Sequence, residues 1–277
     1  MSKKIFFAAL SMMMLVFALS MGMKGTAKAE FKYCSETTSV KYDLDGNGKE
    51  EVIQFKFNPT DSPEWFNISI SINGKTKIAK LKEKNWDDYL SVSYDFIKLK
   101  NGKRFLYVNP TEYNSDGPSY LYQYKAGKLK KVCTLDKYCR WIGSIDVQGN
   151  SIKVKMSDSG GKIGSNRFWS KYTFKKNKFV LNSKTHKMAE YMLYNSNMCE
   201  WGIIPLKVLR PFTVYADKKC KKSKGTAVEG DHVKVTKVYK DGKNINYYIV
   251  GDSIKGWITG DVDYENPTLE NEGTGVA

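Results

Sequence analysis

The sequence predicts an all-β protein built from antiparallel hairpins, and three observations support the prediction. Apolar and polar side chains alternate over residues 53–57 and 68–72, which is the period of a strand that buries one face. Two-residue turns close such runs, most plainly Asn73-Gly74, because both central residues of a type I′ turn need positive φ. Long helical periodicity is absent, and only residues 83–89 and 187–194 would suit a short helix.

Hairpin turns continue the same pattern to about residue 200. Further two-residue turns are expected at Asn101-Gly102, Ala126-Gly127, Gly149-Asn150 and Lys176-Asn177. The hairpin of residues 122–129 recurs about 50 residues later at 172–179, and residues 70–75 are a looser copy. This period suits four-stranded propeller blades, although three units cannot close a ring of about 4 to 8 blades. Residues 30–200 are therefore expected to form a blade-like, propeller-related stack of sheets or, alternatively, a sandwich.

Residues 1–29 have the features of an export signal peptide. Lys3 and Lys4 precede an apolar run over residues 5–19, and Ala27-Lys28-Ala29 is a small-x-small cleavage pattern. The run is shorter than the roughly 20 residues of a membrane-spanning helix, so no transmembrane span is expected in the mature chain. We therefore expect a secreted protein, with the cell wall as one place where it would be retained.

The charge balance favours anionic partners. The whole chain has 45 Lys and Arg against 29 Asp and Glu, a formal charge of +16. The leader holds four lysines and no acid, so its removal from +16 leaves a mature chain at +12. Export argues against nucleic acid as the partner and favours anionic surface polymers or lipid headgroups. The alternative is that the excess lysine only keeps a secreted protein soluble.

Five cysteines follow the leader: Cys34, Cys133, Cys139, Cys199 and Cys220. Export permits disulfides, but an odd number leaves at least one cysteine unpaired, and the spacings match no zinc ribbon or finger. Cys133 and Cys139 are close enough in sequence to clip one loop as a disulfide. The sequence leaves the pairing of the five cysteines open.

An acidic, glycine-rich loop at residues 43–51 is the sharpest candidate for a metal site. Its sequence, Asp-Leu-Asp-Gly-Asn-Gly-Lys-Glu-Glu, places oxygen ligands at alternate positions, and its glycines permit the tight curl that wraps a hard cation. The loop is not an EF-hand, because its twelfth position is Gln54 rather than a bidentate Glu. The spacing instead resembles the calcium loop of FG-GAP and VCBS repeats, and this resemblance implies Ca²⁺ held by Asp43, Asp45, Asn47, the backbone carbonyl of Lys49, and Glu51. The alternative is a polar turn that uses Asp, Asn and Gly for geometry alone.

Residues 205–260 resemble a bacterial SH3-like domain. The resemblance rests on the order and spacing of five segments, namely residues 212–217, 224–226, 229–235, 247–250 and the closing 256–258. It implies a small barrel that binds cell-wall peptides or polymers. The first loop is long and rich in lysine, and the usual Asn-Val-Arg start is absent, so the ligand pocket of the family does not transfer residue by residue.

Two groups of residues in this region are candidates for ligand binding. The first is aromatic and would wall a groove; it consists of Tyr215, Tyr239, Tyr247 and Trp257. The second would hold phosphate-bearing wall polymers such as teichoic acid as point charges; it consists of Lys218, Lys219, Lys221, Lys222 and Lys224. The alternatives are that the aromatic side chains fill a core and that the lysines form a solvated surface.

The last residues, 261–277, are expected to form a disordered acidic tail. They hold Asp261, Asp263, Glu265, Glu270 and Glu272 but no basic residue. They also have almost no apolar bulk, so burial could not offset the entropy lost on ordering them.

Catalysis has little support in the sequence. His186 and His232 lie outside any recognisable nucleophile motif, and two histidines are too few for a catalytic zinc site. Adjacent acids occur only at residues 50–51 and 87–88, where solvated turns explain them. The sequence therefore predicts an exported Gram-positive-type protein that binds a cell wall or surface without turnover. The alternatives are a wall hydrolase with an unrecognised catalytic β domain, targeted by the SH3-like module, and a structural or adhesive surface protein.

Overall fold

The computed structural model describes residues 27–28, 32–34, 37–59, 65–84, 92–109, 119–135, 141–159, 161–195, 198–263 and 265–271. Within these residues all regular secondary structure is β-strand and the sheets are antiparallel, which confirms the predicted all-β fold. In the same residues no helix is long and apolar enough to cross a membrane.

The strands follow one another with short connections. The first ten are β1 (Ala27–Lys28), β2 (Lys32–Cys34), β3 (Thr38–Tyr42), β4 (Glu51–Pro59), β5 (Trp65–Ile72), β6 (Lys75–Lys84), β7 (Val92–Lys98), β8 (Arg104–Asn109), β9 (Tyr120–Lys125) and β10 (Lys128–Thr134). The others are β11 (Trp141–Gln148), β12 (Ser151–Ser159), β13 (Ser165–Lys175), β14 (Lys178–Leu181), β15 (Thr185–Asn195), β16 (Met198–Gly202), β17 (Leu206–Lys207), β18 (Phe212–Tyr215), β19 (Ser223–Ala227), β20 (His232–Asp241), β21 (Asn244–Gly251) and β22 (Lys255–Thr259).

Strands β3–β14 form three successive four-stranded meanders, each in a different sheet. Strands β3–β6 make a separate sheet, β7–β10 make a second sheet together with β2, and β11–β14 pair in chain order within the third and largest sheet. We call these three meanders the meander stack. Each meander pairs its four strands in the order of the chain, which both the blade-like and the sandwich alternatives allow.

Tight turns join the meander strands at positions that the sequence predicts. Asn73 and Gly74 have φ angles of 50° and 74°, and Ala126 and Gly127 have φ angles of 50° and 71°. Both central residues of each turn therefore lie in the left-handed region, as a type I′ turn requires. These turns join β5 to β6 and β9 to β10 and help to fix the register of both hairpins.

The middle sheet of the stack is buried on both faces. In β8, Phe105 and Tyr107 pack into the core shared with the largest sheet, whereas Leu106 and Val108 pack into the core shared with β3–β6. All four side chains are fully buried. Alternate residues of one strand thus serve two cores, which places the three sheets in layers.

The largest sheet runs beyond the meander stack into the region predicted to be SH3-like. Strand β15 pairs with β13 and also, through residues 185–187, with residues 237–239 of β20. We call β17–β22 the C-terminal sheet; its path is β20-β21-β22-β18-β19, with β17 on β20. In the described chain this path does not close, so the small barrel implied by the resemblance is not formed. The reason is that β15 and β17 take the edge of β20.

The end of the chain is ordered where the sequence predicts a disordered acidic tail. Leu269 bridges to Val208 and is fully buried, and the buried Asn271 side chain donates to the Ile163 carbonyl oxygen at 2.8 Å. The prediction of disorder is therefore wrong for residues 265–271. Single buried residues anchor this segment. The prediction used the average composition of residues 261–277, in which such single residues carry little weight.

The other predictions about local structure have mixed outcomes. Residues 187–194, which would suit a short helix, lie in β15, because pairing with β13 and β16 outweighs local helical preference. Residues 83–84 end β6. Residues 1–26 of the predicted leader, residues 272–277, and Cys139 of the predicted Cys133–Cys139 bridge lie outside the described residues.

Candidate functional site

The predicted calcium loop connects β3 to β4 and closes around its first carboxylate. Asp43 Oδ1 accepts from the Gly46 backbone N–H at 2.8 Å, and Asp43 Oδ2 accepts from the Gly48 N–H at 2.9 Å. Asp45 Oδ1 accepts in the same way from the Asn47 N–H at 3.0 Å. The loop is thus a compact curl whose backbone N–H groups point at carboxylate oxygens.

Three of the five predicted ligands come together in this curl. One carboxylate oxygen from each of Asp43, Asp45 and Glu51 lies within 4.8 Å of the others, a set of hard oxygen donors that fits Ca²⁺. Asn47 instead accepts with its side-chain oxygen from the Lys49 backbone N–H at 2.7 Å and donates from its amide nitrogen to Asp45. The three carboxylates would hold Ca²⁺, and the Asn47 oxygen would have to leave the Lys49 N–H to join them.

Arg104 is a member of this site that sequence reasoning missed. Its guanidinium forms an ion pair with the Asp43 carboxylate and also donates to the Asp43 backbone carbonyl. The hydrogen bond from Arg104 is the main cause that holds the pKa of Asp43 below its ordinary value. Glu51, in contrast, is buried and accepts from the Leu44 N–H at 2.7 Å. Because one carboxylate is already neutralised, any Ca²⁺ bound here would be held in the weak range of extracellular modules, about 0.1–1 mM.

The four aromatic residues predicted to wall a groove do not form one. Tyr247 is fully buried in the core of the largest sheet, so its assignment to a ligand groove is wrong. Tyr239 and Trp257 are also buried, and their rings pack edge to face at a centroid distance of 6.4 Å. Tyr215 is half-buried and pairs with Trp257 between β18 and β22. Tyr247 fills the core of the largest sheet, and the other three side chains pack against one another and their neighbours in the C-terminal sheet.

The five-lysine loop, residues 218–224, has an ordered backbone and exposed lysine side chains. Asp217 accepts from the backbone N–H groups of Lys219, Lys221 and Lys222 at 2.9, 3.0 and 2.7 Å. The bond from Lys222 is the largest cause that holds the pKa of Asp217 below its ordinary value. All five lysines of the loop are exposed. This hydrogen-bonded turn and the start of β19, which carries Lys224, therefore present five lysine side chains to solvent.

A serine–histidine pair is buried within the largest sheet. Ser170 Oγ is 3.1 Å from His186 Nδ1, and both side chains are buried. Burial, with a smaller contribution from Lys240, lowers the pKa of His186 to about 4. Burial also raises the pKa of Cys133 to about 12, so this thiol is not a thiolate at neutral pH. The other histidine, His232, is exposed at the start of β20.

Comparisons with known proteins leave the family open. Comparison of the chain with protein-family models, with curated proteins and with solved structures found no match. The resemblances to FG-GAP and VCBS repeats and to bacterial SH3-like domains therefore remain predictions that rest on their sequence segments.

Proposed function

We propose that this chain is an exported, non-catalytic protein that binds an anionic polymer of the cell wall through the five-lysine loop. The proposal rests on one observation: the loop backbone is fixed by Asp217 while all five lysine side chains are exposed. An ordered backbone reduces the entropy lost when several ammonium groups bind one polyanion. Lysine ammonium groups act on phosphate as compact point charges, so a phosphate-bearing wall polymer such as teichoic acid fits.

The surroundings of the loop support the same ligand chemistry. Lys218 Nζ lies 4.9 Å from the centroid of the Tyr239 ring, and Lys224 Nζ donates to the Lys255 carbonyl oxygen at 2.7 Å. These contacts orient two ammonium groups without neutralising them. The mature chain is at +12, so its long-range attraction to a polyanionic envelope has the right sign.

A wall hydrolase is the second candidate, and the Ser170–His186 pair is the geometric feature that favours it. A serine nucleophile needs a neighbouring base, and the low pKa of His186 keeps the imidazole neutral at pH 7. Both side chains are buried, however, so the hydroxyl has no path to a polymeric substrate. A zymogram on peptidoglycan separates the two functions, and a clearing band from the mature protein would contradict binding without turnover.

Calcium has a structural role in this proposal. The donor set of Asp43, Asp45 and Glu51 belongs to the first meander, whereas the five-lysine loop belongs to the C-terminal sheet. A cation at the first site would tie the β3–β4 loop to the strand that follows it, because Glu51 begins β4. It would therefore stabilise the meander stack without contacting the wall polymer.

The test is sedimentation of the mature protein with purified walls, with and without teichoic acid. Binding is expected to weaken steeply between low and physiological salt, where the screening length falls to about 8 Å. Replacing all five loop lysines by glutamine is expected to lower the affinity for intact walls at least about tenfold. Removing teichoic acid from the walls is expected to have the same effect on the unmodified protein.

A matched control separates the loop from net charge. Five exposed lysines in other elements are replaced by glutamine, namely Lys41, Lys75, Lys207, Lys234 and Lys243. This control has the same charge as the loop variant and is expected to keep its wall affinity within about twofold. An equal loss of wall affinity in both variants would show that the net charge of the protein, and not the position of the loop, governs binding. A failure of the unmodified protein to bind walls at low salt would end the proposal.

A further inference from the structure

A lysine-lined pocket lies where hairpin tips from two sheets of the meander stack meet. Its volume is about 520 Å³, and its charged lining consists of Lys103, Lys125, Lys128, Lys130 and Lys131. Lys103 comes from the β7–β8 turn, the other four lysines from the β9–β10 hairpin, and Asn177 from the β13–β14 turn. We call it the hairpin-tip pocket. It shares no lining residue with the five-lysine loop or the acidic loop.

Strand register places the lysines of the β9–β10 hairpin together. Lys125 pairs directly with Lys128, and Gln123 pairs with Lys130, so these four side chains lie on one face of the hairpin. Tyr122, on the opposite face, packs into the core shared with β3–β6. The buried face therefore fixes which way the lysines point, and a one-residue slip of register would bury them.

This concentration of like charge is not balanced by neighbouring acids. Among the residues that the structure describes, no Asp or Glu lines the pocket. In the part of the chain that the structure describes, none of the five pocket lysines forms an ion pair. Lys155 and Lys184, by contrast, pair with Glu190 and Asp241. Like charges directly opposite each other destabilise a hairpin. The lysines therefore lower the stability of the β9–β10 hairpin, and a bound anion would relieve their repulsion.

Aromatic rings hold one ammonium group beside the pocket face of the hairpin and one on its opposite face. Lys103 Nζ lies 4.7 Å from the centroid of the Phe174 ring, and Lys131 Nζ lies 4.9 Å from that of Tyr120. A ring face attracts a cation without removing its charge. The Lys103 ammonium group is therefore positioned before any ligand arrives, which lowers the entropy lost on binding.

We propose that the hairpin-tip pocket binds a chain-like polyanion with closely spaced phosphate groups. The ammonium groups of Lys103, Lys125, Lys128 and Lys130 can contact successive phosphates, and Gln123 and Asn177 add neutral amide donors. The concave shape fits a flexible chain better than the flat surface of a membrane. This site is separate from the wall-binding loop, and it does not rest on the proposed function.

The probe is a short-chain inorganic polyphosphate, titrated calorimetrically into the full mature protein. The pocket variant carries Lys125→Gln, Lys128→Gln and Lys130→Gln, and its affinity for polyphosphate is expected to fall at least about tenfold. The dependence of log Kd on log salt is also expected to become shallower by about one for each lysine that contacts phosphate. Thermal unfolding of the variant is expected to be unchanged or slightly raised, because the exposed like-charge pair Lys125–Lys128 is removed.

Two triple variants of equal charge provide the controls. Lys207→Gln, Lys234→Gln and Lys243→Gln remove exposed lysines elsewhere, and Lys219→Gln, Lys221→Gln and Lys222→Gln disable the five-lysine loop. The loop control removes any polyphosphate bound by the loop itself and is expected to keep the affinity of the remaining, pocket-bound polyphosphate within about twofold, and the exposed-lysine control is expected to leave both unchanged. The loop control alone is expected to lose wall binding, so the two proposals fail independently.

Several results would overturn the pocket proposal. These are equal losses in all three triple variants, no loss in the pocket variant, or pocket-dependent binding to vesicles of phosphatidylglycerol and phosphatidylcholine without binding to polyphosphate. If the triple variant does not fold, Lys125→Gln and Lys130→Gln are measured singly, and each is expected to weaken binding about two- to fivefold.

Discussion

Glycine serves different purposes at the hairpin tips of the meander stack and at the junction that follows β22 of the C-terminal sheet. In the stack, Gly74 and Gly127 occupy hairpin tips with positive φ angles, and the space around each is open. At the end of β22, Gly260 has an ordinary φ angle, but a Cβ atom there would lie 2.3 Å from the Ile245 carbonyl oxygen. The first kind of glycine is required by a local turn, and the second by the close approach of two distant segments.

The conformation at the hairpin tips and that at the junction are therefore determined by different contacts. The hairpins of the stack follow from residues that are neighbours in sequence. Gly260, in contrast, accepts from the Lys162 backbone N–H at 3.0 Å and donates to the Ile245 carbonyl oxygen at 3.0 Å. It therefore connects the β12–β13 loop of the stack to the C-terminal sheet. Changes at this junction should cost more stability than changes at a hairpin tip.

The largest effect is expected from Gly260→Ala. The added Cβ cannot fit against the backbone of residue 245, so the strands must separate, at a cost of about 3 kcal/mol. For a chain of this size the melting temperature should fall by about 10 °C. Circular dichroism during heating of the mature protein measures the change. A loss no larger than that of Gly127→Ala would remove the distinction between the two kinds of glycine.

The next effect concerns His186, which lies at the junction where β15 pairs with β20. Its pKa is about 4 in the folded protein and 6.5 in an ordinary environment, so between these values the unfolded chain binds more protons. Stability is therefore fully present above pH 6.5 and is lost as the pH falls toward 4. Between pH 7 and 5 the free energy of unfolding should drop by about 2 kcal/mol.

Urea unfolding at pH 7, 6 and 5 measures this dependence. His186→Gln keeps a polar side chain near Ser170 but does not titrate, so its stability should change little over the same range. Lys234→Gln, on an exposed residue of β20, is the matched control and should keep the slope of the unmodified protein. Equal slopes for the protein and His186→Gln would show that other groups control the pH dependence.

A smaller effect is expected from calcium, and it should be confined to the meander stack. With a Kd of about 1 mM, 10 mM Ca²⁺ would stabilise the folded state by about 1.4 kcal/mol and raise the melting temperature by about 3–5 °C. Asp45→Asn keeps an oxygen for the Asn47 N–H but removes a ligand charge, so it should abolish the rise. Glu50→Gln, on the exposed neighbour of Glu51, should retain it. An unchanged melting curve in the unmodified protein would contradict a calcium site.

The smallest effect is expected from Gly127→Ala at the tip of the β9–β10 hairpin. The space around Gly127 is open, so the substitution carries only the strain of a left-handed alanine, about 1 kcal/mol. The melting temperature should fall by about 2–4 °C. Gly127→Asn should lose less, because asparagine tolerates this conformation. A fall as large as that of Gly260→Ala would mean that the hairpin tip carries tertiary contacts as well.

Those parts of the fold that depend on neighbouring residues could be predicted from the sequence. Alternation and turn composition identify the hairpins at Asn73-Gly74 and Ala126-Gly127, because strand period and turn geometry are local properties. The same approach fails for Leu269, since one buried residue in an acidic segment leaves no pattern. It also fails for Tyr247, because an aromatic residue in a strand has the same appearance in a core and in a groove.

The candidate sites show the same limit. Asp43, Asp45 and Glu51 lie in one short segment, so their spacing reveals them. Arg104 is 61 residues from Asp43, and only the packing of the first two meanders brings them together. The hairpin-tip pocket is assembled from three separate turns. Its only trace in the sequence is the repeated hairpin tip, which shows that two turns are alike but not that they meet.

The doubly buried strand β8 has a consequence for how the protein reaches its folded state. The face that carries Phe105 and Tyr107 is covered by the largest sheet, whose strands other than β1 come later in the chain. During synthesis, the strands of the middle sheet can pair and dock on β3–β6 before β11–β14 are made. The apolar face of β8 is then exposed to solvent. Exposed sheet faces of this kind drive aggregation. Substitutions that slow the formation of β11–β14 should therefore reduce the yield of soluble protein more than they reduce its final stability.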